Sequence, residues 1–179
     1  MANEYKMTIA GLERSLPLCE IDEHTEIAAF VLFTDVELTV AAATELLKLA
    51  PEFDVIVTAE SKGIPLAYEM SRQSGKPYVV ARKTVKLYMQ NPVSVKVKSI
   101  TTADVQTLHM GGNKAHLIEG KRVLIVDDVI STGESLYALE RLIGRIGGNI
   151  VAKQAVLAEG AAAERKDITF LEPLPLFEK

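Results

Sequence analysis

Val123-Leu124-Ile125-Val126-Asp127-Asp128-Val129-Ile130-Ser131-Thr132-Gly133-Glu134-Ser135 places an unbroken apolar run directly before two carboxylates, and then a hydroxyl-rich turn. A continuous apolar run reads as a strand buried on both faces, as in a parallel sheet covered by helices. Its carboxyl end is where open α/β sheets bind ligands. Beyond it, Ser-Thr-Gly leads into a helix, whose free N–H groups and dipole favour an anion, and Gly133 permits close backbone approach. Ser131, Thr132 and Ser135 add hydroxyl donors. One segment therefore offers an anion cradle and two acceptors for vicinal hydroxyls or a hydrated Mg²⁺. A helix cap alone would account for the hydroxyls but not for two carboxylates ending an apolar strand.

The same alternation extends outward. Ile27–Phe33, Asp54–Ala59, Tyr78–Ala81, Arg122–Val126 and Ile150–Leu157 read as strands. Glu37–Leu49 reads as a helix before Pro51. Gly63-Ile64-Pro65 opens another that runs to about Ser74, with proline tolerated in the first turn. Glu134–Ile146 is a third, ended by Gly147-Gly148. The fold class is α/β, a parallel central sheet flanked by helices. The stretch from Thr84 to His116 departs from it. Ser94–Ile100 alternates like a half-exposed strand, and Val105–His109 is placed to pair with it. Such an excursion, leaving the core, reads as a flap over residues 84–116. There is no internal repeat or linker, so residues 1–179 form a single domain.

The 179 residues, 48% hydrophobic, suffice for a sizeable core, and one cysteine excludes an internal disulfide. Cys19 reads as a buried or partly exposed structural thiol in a reducing compartment. No apolar run approaches the roughly 18 residues that span a bilayer. His24, His109 and His116 are too scattered for a metal set. The net charge of −4 disfavours nucleic acid but is unevenly spread. Residues 1–60 carry a net of −9 and residues 61–103 a net of +7. Lys62, Arg72, Lys76, Arg82, Lys83, Lys86, Lys96 and Lys98 form this cationic block, suited to a small polyanion. Its few aromatics give little stacking platform for single strands.

Two other families that place acids after apolar residues do not fit. A P-loop NTPase needs G-x-x-x-x-G-K-[ST], and Gly111-Gly112-Asn113-Lys114 has the wrong spacing. A phospho-acceptor receiver carries its acidic pair on the first strand, whereas 51 residues follow Asp128 here. Val123–Ser135 instead resembles the phosphoribosyl-pyrophosphate (PRPP) signature of the type I phosphoribosyltransferases. Ala59-Glu60-Ser61-Lys62-Gly63 resembles the family's pyrophosphate loop, and Ala81-Arg82-Lys83 with Lys86 the basic segment of adenine and xanthine enzymes. Phe30-Val31-Leu32-Phe33-Thr34-Asp35 is similar to the adenine enzyme's base-covering segment.

The resemblance implies a small N-terminal hood over residues 1–36 and a catalytic flap. It implies that Asp127 and Asp128 hold the ribose hydroxyls and, through water, Mg²⁺. Ser131, Thr132, Gly133, Glu134 and Ser135 would hold the 5-phosphate. Ser61, Lys62, Gly63, Arg82, Lys83 and Lys86 would hold pyrophosphate, the loop matching Glu60-Ser61-Lys62-Gly63 often carrying a non-proline cis peptide in the family. Leu32, Phe33 and Thr34 would meet the base, with Glu159 a further acceptor for a base N–H. Asp127, Asp128 and Arg82 would carry catalysis. The chemistry would pass through an oxocarbenium-like state, needing positioning and water exclusion rather than a protein nucleophile. The implied reaction is purine salvage from PRPP, adenine favoured, by a cytoplasmic homodimer. The alternatives are a hypoxanthine/guanine or xanthine enzyme, a PRPP-binding purine-responsive regulator, or an inactive relative. Thr34 and Lys62 stand where adenine enzymes commonly have arginine, and Glu134 where they often have a second glycine. A regulator would place a DNA-binding module ahead of the domain, and only 26 residues precede the strand read at Ile27, in an acidic region that disfavours phosphate contact.

Overall fold

The computed structural model describes residues 4–98 and 105–178. The chain opens with strands β1 (Glu4–Ile9), β2 (Leu12–Glu20) and β3 (Thr25–Ala28), then helix α1 (Val36–Leu49). Strand β4 (Val55–Ala59), helix α2 (Ile64–Ser74) and strand β5 (Tyr78–Ala81) follow. Next come β6 (Val93–Lys98), β7 (Val105–Met110) and the single turn α3 (Gly112–Ala115). The second half holds β8 (Arg122–Ile130), α4 (Glu134–Ile146) and β9 (Asn149–Glu159). A 3₁₀ turn (Gly160–Glu164), β10 (Thr169–Leu174) and β11 (Leu176–Glu178) complete it.

Five strands form the central sheet in the order β10-β9-β8-β4-β5, every neighbouring pair parallel. The continuous apolar runs are explained by a core on each face. Val123 and Ile125 point to one side with Leu139, Leu142 and Ile143 of α4. Leu124 and Val126 point to the other, with Leu38, Ala42 and Leu46 of α1 and Leu66 and Met70 of α2. Buried Gln154 on β9 donates to the Leu46 carbonyl (3.1 Å) and so occupies an acceptor at the end of α1.

A four-stranded sheet, β1-β2-β3-β11, is antiparallel and joins the chain's first strands to its last. Ile9, Leu16, Phe30 and Leu32 bring it and the segment after β3 into the α1–α2 core. This corrects the strand read at Ile27–Phe33: only Ile27 and Ala28 belong to β3. Ala29 makes a last bond to the Pro17 carbonyl (2.9 Å), and residues 29–33 then have no ladder to join. Residues before Ile27, read without elements, already form two strands. Strand β8 also runs past Val126 to Ile130, because β9 continues to pair with it as far as Ala158.

The hairpin β6–β7 matches the alternation seen in Ser94–Ile100, though Ser99 and Ile100 lie outside the described residues. It does not leave the core as expected. Val95, Val97, Leu108 and Met110 are buried with α4, and the hairpin is tied to the helix's two ends. Arg145 donates to the Ser94 carbonyl (2.9 Å), and Ser135 to Gln106 Oε1 (3.5 Å).

Two glycines after the α4 core positions should respond oppositely to the same change. A methyl at Gly148 would sit 2.7 Å from Ile118 and 2.8 Å from Ile143, whereas one at Gly144 meets nothing within 4 Å. Gly148→Ala should lower unfolding free energy by about 1–3 kcal/mol through overpacking. Gly144→Ala, on the exposed helix face, should raise it by about 0.5–1 kcal/mol. Urea denaturation of both variants checks the signs.

Candidate active site

The direction in which successive strands are added reverses between β4 and β8. β4 leads on to β5 at one edge, while β8 leads through β9 to β10 at the other. Such a reversal leaves a crevice at the strands' carboxyl ends. Here it is widened because β4 pairs with β8 only from Val55 to Val57, opposite Val123 to Ile125. Asp127 and Asp128 lie just past that last pair, still held by β9 on their other side.

The residues entering the crevice from β4 are fitted closely to the acidic pair. The Glu60–Ser61 peptide is cis. Gly63 has no room for a side chain, since a Cβ there would collide with Thr58 Oγ1 and lie 2.8 Å from Asp127 Oδ1. Lys62 brings its ammonium to 3.5 Å from Asp128 Oδ2. Asp128 is buried, and that oxygen accepts no hydrogen bond among the described residues. Burial, and next the charge of Asp128, push the Asp127 carboxyl well above the usual carboxylate range, with Lys62 opposing them. The same ammonium acts on Glu159 at the end of β9, whose pKa burial raises and Lys62 lowers. One lysine thus faces three carboxylates.

A second ion pair orders the basic segment. Arg82 Nε lies 2.6 Å from Glu60 Oε2, and the other Glu60 oxygen accepts from the Lys83 amide (2.9 Å). Arg82 also exchanges backbone bonds with His109 of the hairpin, both 2.8 Å. His109 itself packs through a 2.8 Å backbone bond and a 2.7 Å contact between Nδ1 and Ser94 Oγ. Sequence reasoning placed Glu60 in the loop without giving it a role, and gave none to Gln106. An acid at the strand end before a basic segment was the available signal for Glu60; Gln106 has none.

On the α4 side, Ser131 to Gly133 turn the chain into the helix, with Gly133 left-handed at φ 80°. The Glu134 amide points to Thr132 Oγ1 at 3.5 Å, and Ser135 lies in the first turn of the helix. Three residues, Ser131 to Gly133, separate the end of β8 from the start of α4. The cationic block is not one patch. Lys62, Arg82 and Lys83 gather here, but Arg72 pairs with Glu69 (2.7 Å) on α2. Lys86 lies in a turn closed by the Met89 amide (2.9 Å), and none of the bonds above reaches it.

The Phe33–Thr34 turn is closed by the Asp35 amide on the Leu32 carbonyl (3.2 Å), with Thr34 at φ 70°. Leu32 is buried in the α1 core and Phe33 is half exposed. Asp35 then caps α1 through the Leu38 amide (3.0 Å) and pairs with Arg14 (2.6 Å). None of these bonds links Leu32, Phe33 or Thr34 to the acidic pair. Cys19, read as a buried or partly exposed thiol, is exposed on β2. Among the described residues no cluster of three or more metal-ligating side chains occurs, and no helix is long and apolar enough to cross a membrane.

Because Asp127 binds its proton more tightly when folded, its contribution to stability falls as pH rises above about 4, the unfolded value, and is fully lost once the native group ionises. Asp127→Asn removes that penalty. In metal-free, ligand-free buffer its melting temperature should exceed the parent's by more at pH 8 than at pH 5. A gap that stays constant or narrows with pH would contradict the assigned burial.

The chain is similar to known proteins in sequence and in fold. The profile of the phosphoribosyl transferase domain matches residues 37–173. A hypoxanthine/guanine phosphoribosyltransferase of Methanothermococcus okinawensis is 32% identical over 161 residues, covering 86% of this chain and 84% of that protein. An adenine phosphoribosyltransferase of Thermotoga petrophila is 34% identical over 127 residues, covering 68% and 64%. The crystal structure of adenine phosphoribosyltransferase from Rhodothermus marinus has the same fold, with a TM-score of 0.66 at 24% identity over 96% of this chain and 94% of that one. With a family match over most of its length and relatives about a third identical, the chain belongs to the phosphoribosyltransferase family.

Proposed function

We propose that the protein transfers the 5-phosphoribosyl group of PRPP to a purine base, adenine favoured, giving the nucleoside monophosphate and pyrophosphate. The observation that carries this reading is the Asp127–Asp128 pair, Asp128 buried and Asp127 partly exposed, set between a basic loop from β4 and the hydroxyl-rich N-terminus of α4. A diphosphate, a diol and a phosphate monoester, arranged along one sugar, match those three chemistries in order. The relatives named as adenine and hypoxanthine/guanine enzymes support a purine acceptor.

In the reaction, the anomeric carbon–oxygen bond breaks with its electron pair leaving on pyrophosphate. The base nitrogen forms the new bond and releases one N–H proton. Asp127 and Asp128 accept hydrogen bonds from the ribose hydroxyls and hold the ring in place. Lys62, Arg82 and the Lys83 ammonium, with the amides of Ser61 and Gly63, take up charge on the departing group. The Asp128 oxygen that accepts no hydrogen bond among the described residues and the hard carboxylate pair fit Mg²⁺ held through water. When bound with PRPP, that ion would lower the charge on the diphosphate. Cations from the β4 and β5 ends lie on the leaving-group side, where charge grows as the bond breaks, so they favour the transition state over the bound substrate.

Glu159 favours a second choice of base. Guanine offers N1–H and the 2-amino group side by side, a two-point match to a carboxylate, whereas adenine presents only its 6-amino donor next to an acceptor nitrogen. We further infer a homodimer and a reducing cytoplasmic setting, which suits the unpaired, exposed Cys19.

Pyrophosphate release from PRPP and Mg²⁺ across adenine, hypoxanthine, guanine, xanthine, orotate and uracil tests the reading. Turnover is expected with purines and not with pyrimidines. Tight PRPP binding without turnover of any base would overturn it in favour of a sensor. Asp128→Asn should lower kcat/KM by about 10²–10³-fold, the scale for losing one preorganised polar group, with the circular dichroism spectrum retained. Activity within twofold of the parent would remove the ribose role assigned to Asp128.

A further inference from the structure

Arg165 follows the 3₁₀ turn after β9, and no motif of the sequence singles it out. Its guanidinium rests on Gly133: a Cβ built there would lie 2.5 Å from Nη1 and 3.8 Å from Cζ. The opposite edge is fixed by Asp167, which accepts from Nε (2.9 Å) and Nη2 (2.8 Å). Asp167 also accepts from Lys153 Nζ (2.5 Å), which donates in turn to Glu140 Oε1 (2.7 Å) on α4. The chain Glu140–Lys153–Asp167–Arg165 alternates in charge and is neutral overall. It pins a guanidinium by one edge and leaves Nη1 against the turn that starts α4.

We propose that Arg165 is a binding residue for the donor's 5-phosphate, supplying through Nη1 a full positive charge at the rim of the Ser131–Ser135 loop. The inference rests on the reading of that loop as the phosphate site. Amides and the helix dipole provide only about half an elementary charge, while a phosphate monoester carries about −1.5 to −2 at neutral pH. Glu134 adds a further negative charge to the same turn. The cations Lys62, Arg82 and Lys83 come from the β4 and β5 ends, on the far side of the acidic pair. Arg165 is the cation in contact with the turn itself, and its planar fork lets one edge stay on Asp167 while the other serves the ligand. A side chain at position 133 would displace the guanidinium tip from the turn, in addition to straining the positive φ.

Calorimetric titration with ribose 5-phosphate and, separately, with inorganic pyrophosphate tests this without relying on turnover. Arg165→Gln should weaken ribose 5-phosphate binding about tenfold and leave pyrophosphate binding within twofold. Arg165→Lys should recover part of the loss, and Lys166→Gln, an exposed neighbouring charge, should change neither ligand. In turnover, Arg165→Gln should raise KM for PRPP with kcat within twofold. Equal weakening of both ligands in Arg165→Gln would make the residue a structural prop and overturn the proposal, as would unchanged binding of both. If the parent protein binds neither ribose 5-phosphate nor PRPP, the phosphate-loop reading fails and the proposal with it.

Discussion

Parallel strands β4 and β8 stay paired for three residues and then part, and the rest of the site depends on that separation. A parallel sheet satisfies backbone groups by pairing on both sides, so a strand that loses one neighbour exposes polar backbone unless something else approaches. Here the approaching element is the chain leaving β4, which folds back so tightly that Gly63 touches the Asp127 side chain. The acidic pair is thereby walled in by backbone on one side and by β9 on the other. The positions of Lys62, the cis peptide and the start of α2 all follow from fitting this turn into the gap.

The site is under electrostatic tension before any ligand arrives. Two adjacent carboxylates, one buried and one partly so, cannot both ionise cheaply, and one lysine 3.5 Å from Asp128 offsets only part of their repulsion. Around this centre the remaining charges are arranged in pairs: Glu60 with Arg82, and Asp167 with Lys153 and Arg165. Those pairs fix long side chains at low entropic cost at the moment of binding, since each is already ordered. An acidic centre flanked by ordered cations suits a ligand whose own ends are anionic and whose middle carries hydroxyls.

How much of this was legible in the sequence depended on whether a feature was local. Strand β8 and the turn into α4 could be read because burial on both faces demands an unbroken apolar run, and because carboxylates and hydroxyls follow within a few residues. Helices α1 and α2 were visible through Pro51, Pro65 and Gly75. Strands β1 and β2 were not, since each buries one face only, with Glu4 and Lys6 on the outer face of β1 and Glu13 on that of β2, and Arg14 interrupts the inner face of β2. The hairpin's alternation was legible, but not its docking on α4, which depends on contacts with residues far along the chain. Arg165 was out of reach for the same reason: its contact with Gly133 spans a strand and a helix, and neither residue's neighbours announce it.

The joining of β11 to β3 has a kinetic side. Residues 176–178 close a sheet begun at Glu4, a contact separated by about 150 positions, whereas the hairpin and the β8–α4–β9 unit close over short loops. Contacts at such separation cost the most chain entropy to form and tend to form last. During synthesis the acidic N-terminal strands therefore wait, with one edge of their sheet unpaired, until the ribosome has released the last residues of β11. The half built on β8, α4 and β9 needs no such delay, so the order of assembly runs opposite to the order of the chain.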